Sequence, residues 1–150
     1  MKITRRPALV ADTDFALSVH HQAYRDVSVR QYGEWDVAAQ DEFFKGDWSP
    51  PEFEIIMCDG VPCGYLCVED RGPDIHVREL VISPPFQSQG VGTQILQEVM
   101  DRAKVRQVPV RLGTQHANRA IELYRRLGFR EFERTATHVL MEWNNAEAGE

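Results

Sequence analysis

The stretch "IHVRELVISPPFQSQGVGTQILQEVM", residues 75–100, decides how the chain folds. Its first eight residues, 75–82, are rich in β-branched side chains, which is typical of a buried strand. Its last part predicts a helix over 91–105, because apolar residues recur there at helical spacing. Between the two, Gly90 and Gly92 stand where the loop becomes the helix. The stretch therefore predicts a strand, a glycine turn and a helix.

The glycine turn is a candidate anion site, because a helix N-terminus presents unpaired N–H groups and a partial positive charge. The dinucleotide fingerprint G-x-G-x-x-G does not fit, since Ile95 stands where its third glycine belongs. The P-loop requires Gly-Lys-Ser/Thr, which the chain lacks. Two interpretations remain: a pyrophosphate held by backbone amides of a shorter Q-x-x-G-x-G turn, or glycines needed only for tight packing of strand and helix.

Size and composition predict one globular domain. The chain has 150 residues, 43% of them hydrophobic, which is enough for a core. We expect the domain to span 1–143 and to be followed by a disordered tail, 144–150. No apolar run is long enough for a membrane span and no leader is recognisable, so a cytoplasmic protein without a membrane partner is expected.

Charge is unevenly distributed along the chain. Residues 1–74 hold 7 Lys/Arg and 14 Asp/Glu, net −7, and residues 75–150 hold 10 and 9, net +1. The total of −6 argues against nucleic acid as a partner. The acidic half favours a cationic partner, although an ordinary solvated acidic surface gives the same counts.

No metal site is expected. Cys58, Cys63 and Cys67 do not have the spacing of metal ligands, and the five histidines are scattered. Buried, reduced thiols are the expectation for a cytosolic protein.

The order of predicted elements is β-α-α-β-β-β-α-β-α-β-β, which indicates an α/β fold with a mixed sheet. The first helix is expected to be capped by Asp12 or Thr13. Asp59-Gly60 predicts a tight hairpin turn. A strand over 108–114 and a short helix over 119–127 follow the central helix.

A second motif lies in the later half. Asn118 opens the short helix in "NRAIELYRRLGF", and Tyr124 stands four residues before Gly128. Together the two motifs resemble the GCN5-related N-acetyltransferase (GNAT) superfamily, with its Q/R-x-x-G-x-G/A turn and, later, the segments N-x-x-A and Y-x-x-x-G-F. Ile121 stands where alanine is common, although Ala120 is adjacent. The matching positions are Gln87, Gly90, Gly92, Asn118, Tyr124, Gly128 and Phe129.

The resemblance covers residues 75–143, and the N-terminal part fits only in its order of elements. It implies a GNAT-like single domain, with a six- to seven-stranded mixed sheet, about four helices and a splayed central strand pair. The splaying concerns the strands 75–82 and 108–114.

The resemblance also implies acetyl-CoA as cosubstrate. Asn118 would bond near the pantetheine amide, and Gln87 would either shape the loop or face solvent. The pyrophosphate would be held by Gln89, Gly90, Val91, Gly92 and Thr93. The pantetheine arm would pair with the main chain of Leu80, Val81 and Ile82.

The expected reaction is attack of a primary amine on the thioester. Tyr124 is the candidate acid for the leaving thiolate, and a core tyrosine is the other interpretation of this residue. Glu79 is the candidate base, because it is the only carboxylate in the strand next to the expected thioester. His76 and His116 remain alternative bases.

The resemblance places the acceptor pocket along the first two helices. Tyr24 and Trp35 lie there among carboxylates, a combination that suits an alkyl ammonium. The acceptor would be a small-molecule or peptide amine. Val139 and Trp143 on the last strand would allow a homodimer if they are exposed, and a core position is the other interpretation of both residues.

Two other functions fit less of the sequence. A non-catalytic acyl-CoA-binding regulatory module would keep the turn without turnover, and a phosphate-binding interaction domain would leave the second motif unexplained.

Overall fold

The computed structural model describes residues 1–144. It contains seven strands and four α-helices within that range, together with three short 3₁₀ turns. The strands are β1 Ile3–Pro7, β2 Glu54–Cys58, β3 Val61–Asp70, β4 Ile75–Ile82, β5 Val110–Gln115, β6 Arg130–Arg134 and β7 His138–Trp143. The helices are α1 Thr13–Tyr32, α2 Val37–Asp47, α3 Val91–Arg106 and α4 Ala120–Arg126.

The strands form one seven-stranded mixed sheet in the order β1-β2-β3-β4-β5-β7-β6. The predicted order of elements and the α/β class are confirmed. β4 has the predicted bounds, and the other predicted ends lie within two residues of the observed ones. Asp59 and Gly60 connect β2 and β3 with φ angles of 50° and 81°, the left-handed pair that a tight hairpin turn requires.

The parallel ladder between β4 and β5 is short. It joins Ile75 with Val110, His76 with Arg111 and Val77 with Leu112. β4 itself continues to Ile82, five residues past the last pair. The predicted splaying of this strand pair is therefore confirmed, and it begins after Val77.

The chain folds into two compact units, of which the first contains residues 1–67 and 79–91. Its core cluster includes Phe44, Phe53 and Tyr65, with Tyr24 and Trp48 packed against it. Gly64 lies in this unit at a close approach of two strands, where a Cβ would overlap the Val81 carbonyl oxygen. Only glycine fits there without a shift of the backbone.

The second unit contains residues 68–78 and the chain from Gly92 onward. β5 pairs antiparallel with β7 over six residue pairs, from Val110 with Trp143 to Gln115 with His138. The apolar side of α3 is buried as its spacing predicted, with Ile95 and Leu96 fully inaccessible.

The expectation of reduced thiols is wrong for two of the three cysteines. Cys58 and Cys63 form a disulfide, with their Cα atoms 6.0 Å apart. Within the hairpin, Cys58 pairs with Val61 and the register shifts by one residue, which brings Cys63 within reach. Only Cys67 is a free, buried thiol, as expected.

Of the two interpretations of Val139 and Trp143, exposure is wrong and a core position is confirmed. They are 1% and 3% exposed, because burial alternates along β7 and these two residues fall on its covered side. They are core residues of the chain and give no support to a homodimer.

The predicted cap of α1 by the Asp12 side chain is not formed. Asp12 precedes α1 but its side chain makes no cap bond to the helix. It pairs with Arg6 instead, at 2.8 Å.

The predicted tail, apart from Asn144, lies outside the described residues. Across residues 1–144, no helix has the length and apolarity to span a membrane.

Candidate active site

The turn between β4 and α3 has an unusual backbone. Ser88 has a φ of 61° and Gly90 a φ of 85°, so two left-handed residues flank Gln89. Alternating conformations of this kind turn successive N–H groups toward one side and create a concave anion site, called a nest. Nothing lies within 4 Å of a Cβ built on Gly90, so the positive φ, not crowding, explains this glycine.

The main-chain amides of residues 88–93 are available as donors. Among residues 1–144, none of the hydrogen bonds formed by turns and loops is donated by these six amides. The amides at the start of α3 also lack partners within the helix, because the first turn of any α-helix does. This turn therefore offers several N–H groups and the positive end of a 16-residue helix.

Two glutamine side chains fix the shape of the loop. Gln87 Nε2 donates to the Ile82 carbonyl at 2.9 Å, and Gln89 Nε2 donates to the Pro85 carbonyl at 2.9 Å. Gln87 thus follows the loop-shaping interpretation of the sequence. Its bond occupies one lone pair of the Ile82 carbonyl and leaves the other.

Gly92 stands beside α4. A Cβ on Gly92 would lie 3.4 Å from the Leu123 side chain, an ordinary van der Waals distance. Crowding therefore requires a glycine neither at position 92 nor at position 90.

Asn118 and Tyr124 belong to the short helix region of the second unit. Asn118 Oδ1 accepts from the Ala120 amide at 2.9 Å, which stabilises the start of α4 and leaves the side-chain NH₂ as its ligand-binding group. Tyr124 is 8% exposed, and its ring centroid lies 5.9 Å from that of Phe129. Burial raises the pKa of Tyr124 to about 12, so its hydroxyl keeps its proton at neutral pH.

Glu79 lies in the first unit near the hydroxyl of Tyr65. The Tyr65 side chain is 1% exposed, and its hydroxyl has no hydrogen-bond partner within residues 1–144. Burial first, and then the nearby groups Tyr24, Glu79 and Asp47, raise the pKa of Tyr65 well above its ordinary value. Tyr24 also packs against the cluster that contains Tyr65, so two predicted site residues, Tyr24 and Glu79, act on a tyrosine that the sequence did not point to.

The alternative bases are His76 and His116. Burial lowers the pKa of His76, and the charged groups acting on it are Arg71, Glu69, Asp74 and Arg78. His116 Nε2 lies 3.0 Å from two carbonyl oxygens, those of Thr135 and His138. Because a carbonyl only accepts, Nε2 carries the proton of the neutral ring. His116 thus secures the turn between β6 and β7.

Trp35 is bonded within the protein. Its Nε1 donates to His21 Nδ1 at 3.1 Å, and His21 Nε2 contacts Asp41 Oδ1 at 2.7 Å. The indole N–H is therefore already used, and Trp35 offers a ligand only its ring.

A buried histidine connects Trp35 with Tyr24. The His20 ring lies 5.1 Å from Tyr24 and 5.9 Å from Trp35, and its Nε2 contacts Gln40 Oε1 at 2.9 Å. Burial lowers the pKa of His20. A neutral histidine among aromatic rings thus fills the space between the two predicted substrate residues.

Sequence reasoning missed Ser88 and Tyr65. Ser88 has a left-handed backbone, which no pattern in the loop indicated because serine adopts it rarely. Tyr65 sits in an apolar strand, where it is indistinguishable from an ordinary core tyrosine until its hydroxyl is found without a partner.

A mixed seven-stranded sheet, a parallel pair that separates and a turn of available amides before a helix together define the fold of acyl-CoA-dependent acetyltransferases. The chain belongs to the Acetyltransferase (GNAT) family, whose model matches residues 20–129.

Known relatives agree with this assignment. An uncharacterized N-acetyltransferase of Methanocaldococcus jannaschii is 27% identical over 135 residues. The match covers 81% of this chain and 58% of the relative, so the chain spans well under two thirds of that protein's length.

Solved structures show the same fold. The PaiA N-acetyltransferase of Thermoplasma acidophilum, in complex with coenzyme A, matches with a TM-score of 0.79 at 15% identity, covering 96% of this chain and 99% of the other. The ribosomal-protein-S18-alanine N-acetyltransferase of Escherichia coli matches with a TM-score of 0.66 at 18% identity, covering 95% and 93%.

Proposed function

We propose that this protein is an acetyl-CoA-dependent N-acetyltransferase that moves the acetyl group to a primary amine by direct attack on the thioester. The observation that carries the proposal is the turn of residues 88–93, whose amides donate none of the turn and loop hydrogen bonds to main-chain carbonyls in residues 1–144 and which ends in a helix N-terminus. Diphosphate is the anion that such a nest and helix dipole together favour.

Acetyl-CoA supplies the activated acetyl group, and the chain supplies its binding groups. The amides of Gln89, Gly90, Val91, Gly92 and Thr93 would hold the diphosphate, and that of Ser88 joins them. Main-chain groups of Leu80, Val81 and Ile82 would pair with the pantetheine arm, in support of which the β4–β5 ladder ends at Val77. The Asn118 NH₂ would reach a pantetheine carbonyl.

The acceptor must first lose a proton. An alkyl ammonium has a pKa of about 10.4, so at neutral pH most of it is charged and unreactive. Glu79 is the group we assign to take this proton, directly or through a water. The neutral nitrogen then attacks the thioester carbonyl carbon, whose oxygen would be polarised by an amide of β4.

The carbon–sulfur bond breaks as the amide forms, and the sulfur needs a proton. Tyr124 would donate a hydrogen bond to the departing sulfur, and the second proton, which the nitrogen loses as the amide forms, passes through solvent to the sulfur. A phenol with a pKa of about 12 is a weaker acid than a thiol of roughly 8.5. The main contribution of Tyr124 is therefore a hydrogen bond to the departing sulfur.

Tyr24 and Trp35 would line the acceptor site. The acceptor of the Escherichia coli relative is an alanine of a ribosomal protein, and for this chain we propose a primary amine of a small molecule or a peptide. The acidic first half of the chain, net −7 by residue count, would raise the local concentration of such a cation.

The test is thiol release from acetyl-CoA in the presence of a panel of primary amines, measured alongside acetyl-CoA binding. We expect release with at least one amine, and a Tyr124→Phe variant that loses about 10²-fold or more in kcat with nearly unchanged acetyl-CoA affinity. Saturable binding without release for every amine would support the regulatory module. Equal loss of binding and turnover in the variant would remove Tyr124 from its role.

A further inference from the structure

The Tyr65 hydroxyl is a buried polar group without a partner. Its oxygen has under 1 Å² of accessible surface and no hydrogen bond within residues 1–144. Leaving such a group unsatisfied costs about 1–3 kcal/mol. Native proteins retain few groups of this kind, and each calls for an explanation, such as a ligand.

The walls around this tyrosine are aromatic. The Trp48 ring meets the Tyr65 ring edge-on at 5.7 Å, and the Phe53 ring lies 5.9 Å away. Tyr24 packs against the same cluster. Aromatic faces attract cations when water is excluded.

Two carboxylates stand beside this cluster, those of Asp47 and Glu79. Asp47 directly precedes Trp48, and Glu79 stands two residues before Val81, a member of the cluster, and so on the same side of β4. Both act on Tyr65 in the direction that disfavours a negative charge. An anion would be repelled here, whereas an ammonium carries three donors and no acceptor and matches a phenol oxygen beside carboxylates.

We propose that the Tyr65 hydroxyl, with Tyr24, Asp47 and Glu79, binds the ammonium group of the acceptor and so selects an unbranched primary alkyl amine. The inference rests on the proposed function for the identity of its ligand, and it adds Tyr65 and Asp47 to the acceptor site. Because the hydroxyl is enclosed, it suits a narrow primary ammonium better than a branched one. Tyr65 is a positioning residue: it holds the amine beside Glu79, the group assigned to take its proton.

Tyr65→Phe tests this assignment with one atom removed. The probe is n-butylamine, and butan-1-ol is its neutral counterpart of the same length. In wild-type protein with coenzyme A bound, butylamine should raise Tm and butan-1-ol should not. In Tyr65→Phe the butylamine effect should fall sharply, and the KM for butylamine in thiol release should rise about tenfold or more with little change in the KM for acetyl-CoA.

Two further readouts separate binding from folding. Without amine, Tyr65→Phe should melt about 2–4 °C higher than wild type, because an unsatisfied hydroxyl has been removed. Tyr124→Phe, the same change at the other buried tyrosine, should lose turnover and keep the butylamine-dependent rise in Tm.

The outcomes distinguish this inference from the proposed function. If wild-type protein releases thiol while Tyr65→Phe keeps both the butylamine KM and the Tm rise, the Tyr65 assignment is overturned and the transferase stands. If no amine supports thiol release, the transferase proposal fails, and the butylamine shift in Tm still decides whether the ammonium site exists. A lower Tm for Tyr65→Phe without amine would mark the hydroxyl as structural and overturn the inference.

Discussion

The turn of residues 88–93 and the cluster around Tyr65 are built in opposite ways. The turn uses main-chain amides from consecutive residues, and its shape follows from two positive φ angles and two glutamine side chains. The cluster uses side chains from four elements, with Tyr24 and Glu79 far apart in the numbering of the chain. The first can be recognised in a short motif, whereas the second exists only once the chain has folded.

This difference has a functional counterpart. A main-chain site recognises a group common to every acyl-CoA, so it tolerates changes of side chain that keep the backbone. A side-chain site can change its ligand with one substitution. We therefore expect cofactor binding to respond to backbone changes, and acceptor choice to respond to side-chain changes.

The largest effect is expected from Glu79→Gln, which keeps the size of the side chain and removes its basicity. Turnover should fall by about 10²-fold, because the ammonium is no longer deprotonated, and acetyl-CoA affinity should stay within about twofold. Steady-state kinetics and calorimetric titration measure the two quantities. Glu54→Gln, at a carboxylate 3.5 Å from Arg5, is the matched control and should leave both unchanged. A parallel loss of affinity and turnover in Glu79→Gln would show that the residue is structural.

A smaller effect is expected from Gly90→Ala. A non-glycine residue at a φ of 85° costs roughly 1–2 kcal/mol, and relaxation of that angle would turn the amides away from the diphosphate. Acetyl-CoA affinity should fall about tenfold by calorimetry, with the KM for the amine little changed.

Gly60→Ala is the control for backbone strain. Gly60 has a φ of 81° and, like Gly90, open space where a Cβ would stand, but it lies in the turn between β2 and β3. It should cost similar stability and leave acetyl-CoA affinity intact. Equal loss of affinity in the two variants would mean that general destabilisation, and not the nest, explains the result.

The smallest effect concerns stability alone. Arg6 donates two hydrogen bonds of 2.8 Å to Asp12, and they hold the pKa of Asp12 below its ordinary value. The pair therefore stabilises the fold above the pKa of Asp12 in the unfolded chain, and this is lost as pH falls through the lower folded pKa.

Asp12→Asn should lower the free energy of unfolding by at most about 1 kcal/mol at pH 7, because the pair is partly exposed. The difference from wild type should shrink below about pH 4, as the carboxylate becomes protonated. Urea unfolding at the two pH values measures it. A difference independent of pH would show that the charge of Asp12 is not the cause.

Local signals in the sequence predicted the fold well. β-branched runs indicated the strands, helical spacing indicated α3, and Asp59-Gly60 indicated the hairpin. The early end of the β4–β5 ladder followed from the family resemblance. What could not be predicted depended on which side of an element is covered: Val139 and Trp143 are buried because they lie on the covered side of β7. The disulfide of Cys58 and Cys63 depends on a register shift that the turn alone does not reveal.

Part of the candidate site could likewise be predicted from the sequence, and part could not. Gly90 and Gln87 could be found from the spacing of the motif. Gly90 has a positive φ angle, and the Gln87 side chain donates to the main-chain carbonyl of Ile82. Tyr65 could not be found, because a tyrosine in an apolar strand is ordinarily core, and only the packing of Trp48 and Phe53 around it reveals that its hydroxyl is left without a partner.

Amide NMR of wild-type protein tests most directly whether the amides of residues 88–93 bind the diphosphate. Addition of coenzyme A should shift the amide resonances of Gln89, Gly90 and Gly92 strongly and saturably. Pantetheine, which has no diphosphate, should leave them nearly unchanged. If coenzyme A binds while these resonances stay in place, or if pantetheine moves them equally, the amides do not hold the diphosphate and the account is contradicted.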